Sequence, residues 1–562
     1  MIPLLLAKSN LRNKLFKYFC AICVPTIQHS SFCLEFKQIF TNLISRLPLL
    51  HVPCPILIAP CPMHYALCFV DLFPMGGPTI PLLNRQSFEV LGIFVGLSLI
   101  MRVLSFFPSV IDHDESTYIL IGNAVLHGKV YLRDVIDTKP IGIFGLYAIF
   151  QLLFGKSILV MRLITAVWIA LTAWMIYHVH GQLSGQTTDQ HLNAAPVASG
   201  VIYIFMTSVF IFFGLSPNTE LFFTLFTIIA LYLLLRHESF VWIFLAGFLF
   251  GLGFLIKYVV VFDAFAIGFF YLWIQVKKGQ KWSYWFSRCA LMAMGFTIPF
   301  ALLWWYYAQL GMSETFRFFT FELSGKYFID SSWTANIIFI LDCLMRFFPV
   351  TLWFFYCTWY WRTTGKEMPI LAWGWSISVM IIILIPGKLF YHYFIQMMLP
   401  LSLLAGSFFD HRRILKPVLS WMRNPKIGYP LIFTAMVAIL FFQKKDFIDK
   451  RDYPKEVAAW LNERLQQGDK IYTGNYQQII YHLTGKESLT PYIHSSLIWD
   501  AENNRALGID RAEECQKILD QKPRFILLNK KLPKDNPMLP VLQSDYKQLM
   551  LFDKQLYIYE RI

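Results

Sequence analysis

Charge is scarce in this 562-residue sequence. Asp, Glu, Lys and Arg make up 15% of it, against 56% apolar and 17% aromatic residues. A soluble domain carries about 25% charge, so an ordinary water-soluble globule is excluded. Acid is scarcer than base, 35 residues to 49, and the formal charge is +14. The basic residues sit in short segments between apolar runs, not on one polar face, so no nucleic-acid partner is expected. The segment 445–562 shows no Gly-rich phosphate loop, nucleophile elbow or metal motif. Six of the ten cysteines (Cys20, Cys23, Cys33, Cys54, Cys61, Cys68) fall in the first 70 residues, and Cys20 and Cys23 find no second pair to complete a metal site. Cys289, Cys343, Cys357 and Cys515 are scattered and read as free membrane or core thiols. No internal repeat is visible, so inverted-repeat transporter architecture gains no support.

Long apolar runs recur from Phe88 to Phe442 and define a mainly α, polytopic membrane helical bundle. Eleven spans are expected, at 88–108, 158–178, 195–213, 219–236, 239–257, 258–275, 283–310, 335–361, 368–386, 389–409 and 428–443. Residues 1–87 fit this pattern poorly. Pro48, Pro53, Pro55, Pro60 and Pro62 break the apolar stretch there, and no compact signal peptide is present. A poorly structured extension, with translation starting at Met75, is the expectation. Residues 445–562 alternate helix and strand ("DKIYTG", "RFILLN", and a terminal hairpin), as a small α/β domain does.

The segment 141–155, "IGIFGLYAIFQLLFG", has about 15 residues, too few for the ~20 of a span. If it does not cross, the basic loops at Arg236, 277–281, 362–366 and 411–426 share one side, as the positive-inside rule requires. The other side then holds 109–157, Glu220, 311–334, Lys388 and the tail. The inner membrane is therefore the expected location, with the N-terminus cytoplasmic and the tail domain extracytoplasmic. Lys139, Arg162, Lys257 and Lys388 are the outer basic residues that need a reason.

One outer passage, "IDHDESTYILIGNAVLHGKVYLRDVIDTKP" (111–140), is unusually acidic: Asp112, Asp114, Glu115, Asp134 and Asp137. Asp114 fits two roles there, a cap for a helix starting at Glu115 or a reactive carboxylate. The helix over 115–127 needs lipid or protein cover, with Glu115, Asn123 and His127 forming a polar edge. Glu220 at the start of one span and Lys257 at the end of another bring further charge to the same rim. Lys257 could equally snorkel to lipid head groups. Carboxylates with cations at one membrane surface suit a general base and a phosphate leaving group.

The set "DHDE", "Y-x(2)-D-x(2)-D-x-KP", "LFG" with "MRL" (161–163), "GFLFGLGFLIKY" (247–258) and "YHYFIQMMLPL" (391–401) resembles the GT-C glycosyltransferases. The likeness is to the branch of protein O-mannosyltransferases and lipid A aminoarabinose transferases, over roughly residues 88–410. It implies inverting transfer of a sugar from a polyprenyl-phosphate donor to a lipid, glycan or protein acceptor at the outer membrane face. It also implies roles. Asp114 matches the catalytic acid position and Glu115 its neighbour. Lys139 would meet the donor phosphate, Glu220 would be the second acid, and Arg162 and Lys257 would be basic groups near the leaving phosphate. His392 and Tyr393 either line the cavity or pack. The turn departs from the family pattern: Ile141 follows Lys139-Pro140, and Thr138 stands where relatives carry glutamate, with Asp137 supplying an acid one residue earlier. No cofactor is assigned, although a divalent metal could share the stabilisation of the leaving phosphate. Asp112, His113 and Asp114 would suit a divalent metal, and equally a solvated acidic loop. A flippase for lipid-linked saccharide and an O-antigen-type polymerase or ligase are the competing readings, and the loop 313–333 is a candidate cover for the site.

Overall fold

The computed structural model describes residues 84–184, 194–326, 332–361, 367–385, 389–410, 424–529, 536–552 and 556–562. The expected start at Met75, the basic loops 362–366 and 411–423, and Lys388 lie outside them. The chain divides into two units, Met1–Ser87 and Phe88–Ile562, and the second contains both the helical bundle and the tail domain.

Among the described residues, eight helices are long and apolar enough to cross a membrane, or nine if one sharply bent pair counts as a span. Three expected spans differ from a plain crossing helix. The segment 195–213 is α-helical only over Ala194–Met206, with a single 3-10 turn at Phe210–Phe212. Its remainder folds back, and the buried Arg102 guanidinium donates to the freed carbonyls of Thr207 (2.8 Å) and Gly214. The helix Phe240–Ile256 is 17 residues long. The third, 335–361, breaks at Phe347 into Trp333–Arg346 and a following helix, bent by 94°. Trp333, Ile337, Leu341 and Met345 recur every fourth residue and are exposed. Such a one-sided apolar stripe suits a helix lying along the interface, and hydropathy windows merge it with its neighbour.

Close helix contact depends on small residues. Phe240–Ile256 packs against Trp282–Gln309 through Gly247, Gly251 and Gly295. A Cβ on Gly247 would lie 2.1 Å from the Met292 carbonyl oxygen, and one on Gly295 2.2 Å from that of Phe244. Apolar side chains gain little by leaving lipid for protein, so backbone approach of this kind is what holds such helices together.

The loops at 109–157, 207–219, 257–259, 311–326 and 389–391 meet at one end of the bundle, under the tail domain. Tyr307 Oη donates to the Tyr131 carbonyl, and Lys257 Nζ lies 4.1 Å from the Tyr393 ring centroid. Arg236 and the pairs Lys277–Glu367 and Lys278–Glu238 belong to the other ends of these helices. The short helix Ile141–Phe154 stays at the loop end, beside His113–Leu126.

The tail carries a four-stranded sheet in the order β1 (Ile471–Thr473), β2 (Phe525–Asn529), β4 (Leu556–Arg561), β3 (Tyr546–Phe552). β1 and β2 are parallel, and the other pairs are antiparallel. Residues 525–528 of β2 are all apolar because both faces of the strand are covered: Phe525 and Leu527 pack with Val457, Leu461 and Ile480, while Ile526 and Leu528 pack with Ile518 and Leu542. Leu120 of His113–Leu126 packs against the first of these clusters, joining the domain to the loop below it.

The glycine contact gives a test. Gly247→Val should force Phe240–Ile256 away from Trp282–Gln309 and cost about 1–3 kcal/mol, read as a lowered unfolding midpoint of the protein in detergent. An unchanged midpoint would mean that the two helices do not depend on this approach.

Candidate active site

The helix after the first span starts at His113, and Asp112 is its N-cap, accepting from the Asp114 N–H at 3.5 Å. Of the two roles open to Asp114, the cap of the helix expected to start at Glu115 is therefore taken by Asp112. Asp114 lies in the first turn, where its carboxylate is free for other partners. The expected polar edge is also revised: Glu115 is buried and faces the bundle, while His127 Nδ1 bonds back to the Asn123 carbonyl at 2.7 Å.

Glu115 and Arg162 form a fully enclosed ion pair, each side chain 1% exposed. Arg162 Nε and Nη2 reach the two Glu115 oxygens at 2.7 and 2.8 Å, and Nη1 donates to the carbonyls of Ser105 and Pro108. Every N of the guanidinium is engaged. The pair ties the last turn of the first span, the start of Ile158–Leu183 and the start of His113–Leu126 together.

Asp114 faces the other way. Lys139 Nζ lies 2.8 Å from its Oδ1, and Tyr118 Oη donates to its Oδ2 at 3.2 Å. Lys139 also lies 3.8 Å from Asp137, which is buried and whose Oδ2 has no hydrogen-bond partner among the described residues. The other Asp137 oxygen accepts the Thr138 N–H at 2.6 Å. The turn that presents Lys139 is held firmly: Tyr131 Oη donates to the carbonyls of Asp137 and Lys139, and Leu132 is kept at φ 70°, a left-handed conformation that a leucine adopts only when its surroundings impose it.

A second pair, Glu220–Lys257, stands nearby. Thr219 Oγ1 donates to Glu220 at 2.9 Å, and Lys257 ends Phe240–Ile256 as its C-cap. His392 and Tyr393 belong to the short helix Tyr391–Ile395. Tyr393 offers its ring face to Lys257, and His392 stacks on Phe390 at 5.4 Å. His392 is close enough to couple electrostatically to both Asp114 and Glu220, so the two ion pairs face one region.

Burial works against ionising Asp114, but the charge of Lys139 and its hydrogen bond hold the carboxyl well below the usual carboxylate range. Burial likewise opposes the Lys139 charge, and Asp114 and Asp137 overcome it and keep the ammonium protonated. Asp112 behaves oppositely: burial and the neighbouring Asp114 charge push it up to about 7. Two adjacent acids with such different proton affinities are a common mark of a functional site.

His494 and Gln478 were not picked out in the sequence. Gln478 Nε2 donates to the His113 carbonyl (2.9 Å) and to Thr117 Oγ1 (2.8 Å), and His494 Nε2 lies 3.7 Å from Asp114 Oδ1. Neither sits in a motif, and only the fold of the tail brings them to the rim. Among the described residues no group of three His, Cys, Asp or Glu side chains is arranged to hold a metal ion, and His113 Nδ1 is instead directed at Gln478 Oε1 at 3.2 Å.

Comparison with known proteins bears on the fold that carries these residues. Residues 138–305 match the family model described as dolichyl-phosphate-mannose-protein mannosyltransferase. The crystal structure of ArnT from Cupriavidus metallidurans bound to undecaprenyl phosphate superposes with a TM-score of 0.64 at 13% identity, covering 85% of this chain and 99% of that one. Its apo form gives 0.60 at 12% identity, with the same coverage. No curated protein sequence matches significantly. The expected fold is borne out: this integral membrane protein has the fold of ArnT, and residues 138–305 resemble the mannosyltransferase family.

Two measurements probe the electrostatics. Removing one partner of the enclosed pair, by Arg162→Ala or Glu115→Ala, should destabilise the protein by about 3–5 kcal/mol, with a double variant less damaged than the sum of the two. Additive losses in thermal unfolding would dissolve the pairing. For Asp112, a carboxyl with a raised pKa contributes stability fully below its unfolded value, and this is lost as pH climbs through about 7. Asp112→Asn, which keeps a capping oxygen, should therefore melt higher relative to the parent at pH 8 than at pH 5.5. Equal differences at both pH values would contradict it.

Proposed function

We propose that the protein transfers a sugar from a polyprenyl-phosphate donor to a lipid, glycan or protein acceptor at the outer face of the cytoplasmic membrane, with inversion. The observation that carries this is the pair of carboxylate–ammonium couples, Asp114–Lys139 and Glu220–Lys257, that converge at one end of a GT-C bundle. The ArnT with this fold was crystallised with undecaprenyl phosphate, which supports a polyprenyl-phosphate donor.

In this reading the acceptor O–H or N–H lies against Asp114. As its oxygen or nitrogen bonds to the anomeric carbon, the bond from that carbon to phosphate oxygen breaks. The electron pair leaves on the phosphate and the proton passes to Asp114. Lys139 and Lys257 meet the new phosphate charge, where a half-buried ammonium acts more strongly than in water. While Lys139 stays on Asp114 it makes that carboxylate a weak base. A donor phosphate competes for the same ammonium, and Asp114 gains proton affinity as Lys139 turns away. Asp137, on the far side of Lys139, keeps the ammonium at the site, and Glu220 does the same for Lys257. Glu115 and Arg162 act as positioning residues, since every N of the guanidinium is already engaged. His392 and Tyr393 line the space between the two pairs.

The test is transfer from a radiolabelled polyprenyl-phosphate-sugar by the protein in proteoliposomes. Asp114→Asn should lower the rate by roughly 10²–10⁴-fold with the fold intact. An unchanged rate would remove Asp114 as base. Flipping of the donor without any transfer would decide for the transporter reading.

A further inference from the structure

We infer that His494, carried by the C-terminal domain, is a positioning residue for Asp114, so that this domain completes the active site. The inference rests on the assignment of Asp114 as the base.

The first support is the state of the imidazole. His494 Nδ1 lies 3.2 Å from the Ser496 backbone N–H, which donates to it, and 2.7 Å from Ser496 Oγ. A ring nitrogen that accepts an N–H carries no proton, so the proton of the neutral ring is on Nε2. Nε2 is the atom that faces Asp114 Oδ1, at 3.7 Å. That is longer than a direct hydrogen bond, as catalytic contacts often are before substrate binds.

The second support is how the histidine is delivered. The segment 491–493 runs along Ile136, whose N–H donates to the Pro491 carbonyl at 2.7 Å, while the Ile493 N–H returns to the Ile136 carbonyl at 3.4 Å. Ile136 directly precedes the turn that carries Asp137 and Lys139. On the other side, Gln478 grips the first turn of His113–Leu126 at His113 and Thr117, on either side of Asp114. Asp452 accepts from the Ser109 N–H at 2.8 Å, and Glu487 pairs with Lys129 at 2.8 Å. The domain thus holds both stretches that supply the acid and the lysine, and places an imidazole N–H over the same oxygen that Lys139 occupies.

The third support is chemical. Once Lys139 turns to a phosphate, Asp114 Oδ1 needs another donor if the carboxylate is to keep its direction. His494 is placed for that, Tyr118 holds Oδ2, and a carboxylate has lone pairs left for the acceptor. The titratable groups facing His494 are Asp114, Asp137, Lys139 and His113, whose ring centroid lies 6.0 Å away. Burial pushes the His494 pKa down despite Asp114 and Asp137, which keeps the ring neutral and Nε2 a donor at neutral pH.

The experiment compares His494→Ala, His494→Gln and Asp114→Asn in the full chain, in proteoliposomes with the radiolabelled donor. His494→Ala should lower kcat roughly ten- to hundredfold with little change in the donor KM. Loss of an N–H donor raises the proton affinity of Asp114 in the donor complex, so the acid limb of kcat should move up by roughly half to one pH unit. Gln places an amide N–H near the Nε2 position, and His494→Gln should recover much of the rate and the original limb. Full activity in His494→Ala, or a loss with an unmoved acid limb and no recovery in His494→Gln, would overturn the role. If Asp114→Asn transfers normally, the base assignment fails and this inference with it. If Asp114→Asn is dead while His494→Ala is normal, only this inference fails.

Discussion

The enclosed pair between Glu115 and Arg162 fixes the rest of the site. Successive residues on a helix point about 100° apart. Once Glu115 is locked onto a guanidinium in the bundle wall, Asp114 has only one direction left, and it points to Lys139. The same guanidinium holds the carbonyls of Ser105 and Pro108, so the end of the first span, the helix His113–Leu126 and the start of the next span are joined at one point. A buried charge with one partner removed is strongly unfavourable, which makes this junction intolerant of half measures. Orientation of the reactive carboxylate is therefore set by a neighbour that does not face the reaction.

Much of the architecture was legible because membrane physics leaves few choices. Apolar length gave the bundle, and the fifteen residues at 141–155 were too few to cross. Loop charge sorted the segments into two sets, and 109–157, Glu220, Lys257, 311–326 and the tail domain do meet at one end. What escaped notice has local causes. A hydropathy average cannot see a right-angle break, so Trp333–Arg346 merged with its successor although its apolar residues repeat every four. Asp112 and Asp114 both suit a helix start, and only backbone geometry tells that Asp112 holds the cap. Lys139, Asp114, Glu220 and Lys257 were readable as charges out of place in an apolar chain. Arg162 was readable for the same reason, yet sequence could not say which acid it meets. His494 and Gln478 were invisible, because a polar residue in a polar domain carries no such contrast.

The shared fold at 13% identity fits this division. Apolar side chains exchange freely along a span, while glycines that let backbones touch and charges that need partners have few substitutes. The site here is built from residues of the second kind, anchored in elements made mostly of the first.

The clasp between Gln478 and His113 joins residues 365 positions apart in the chain. Synthesis runs from the N-terminus, so Asp114 and Lys139 emerge long before the segments that seat them. Through the interval in which the later spans are inserted, the acidic loop exists without its roof. Completion of the site is thereby tied to the last stretch of polypeptide reaching the same side of the membrane, and a chain cut short before the sheet closes would contain every ammonium and carboxylate of the two pairs yet lack their final alignment.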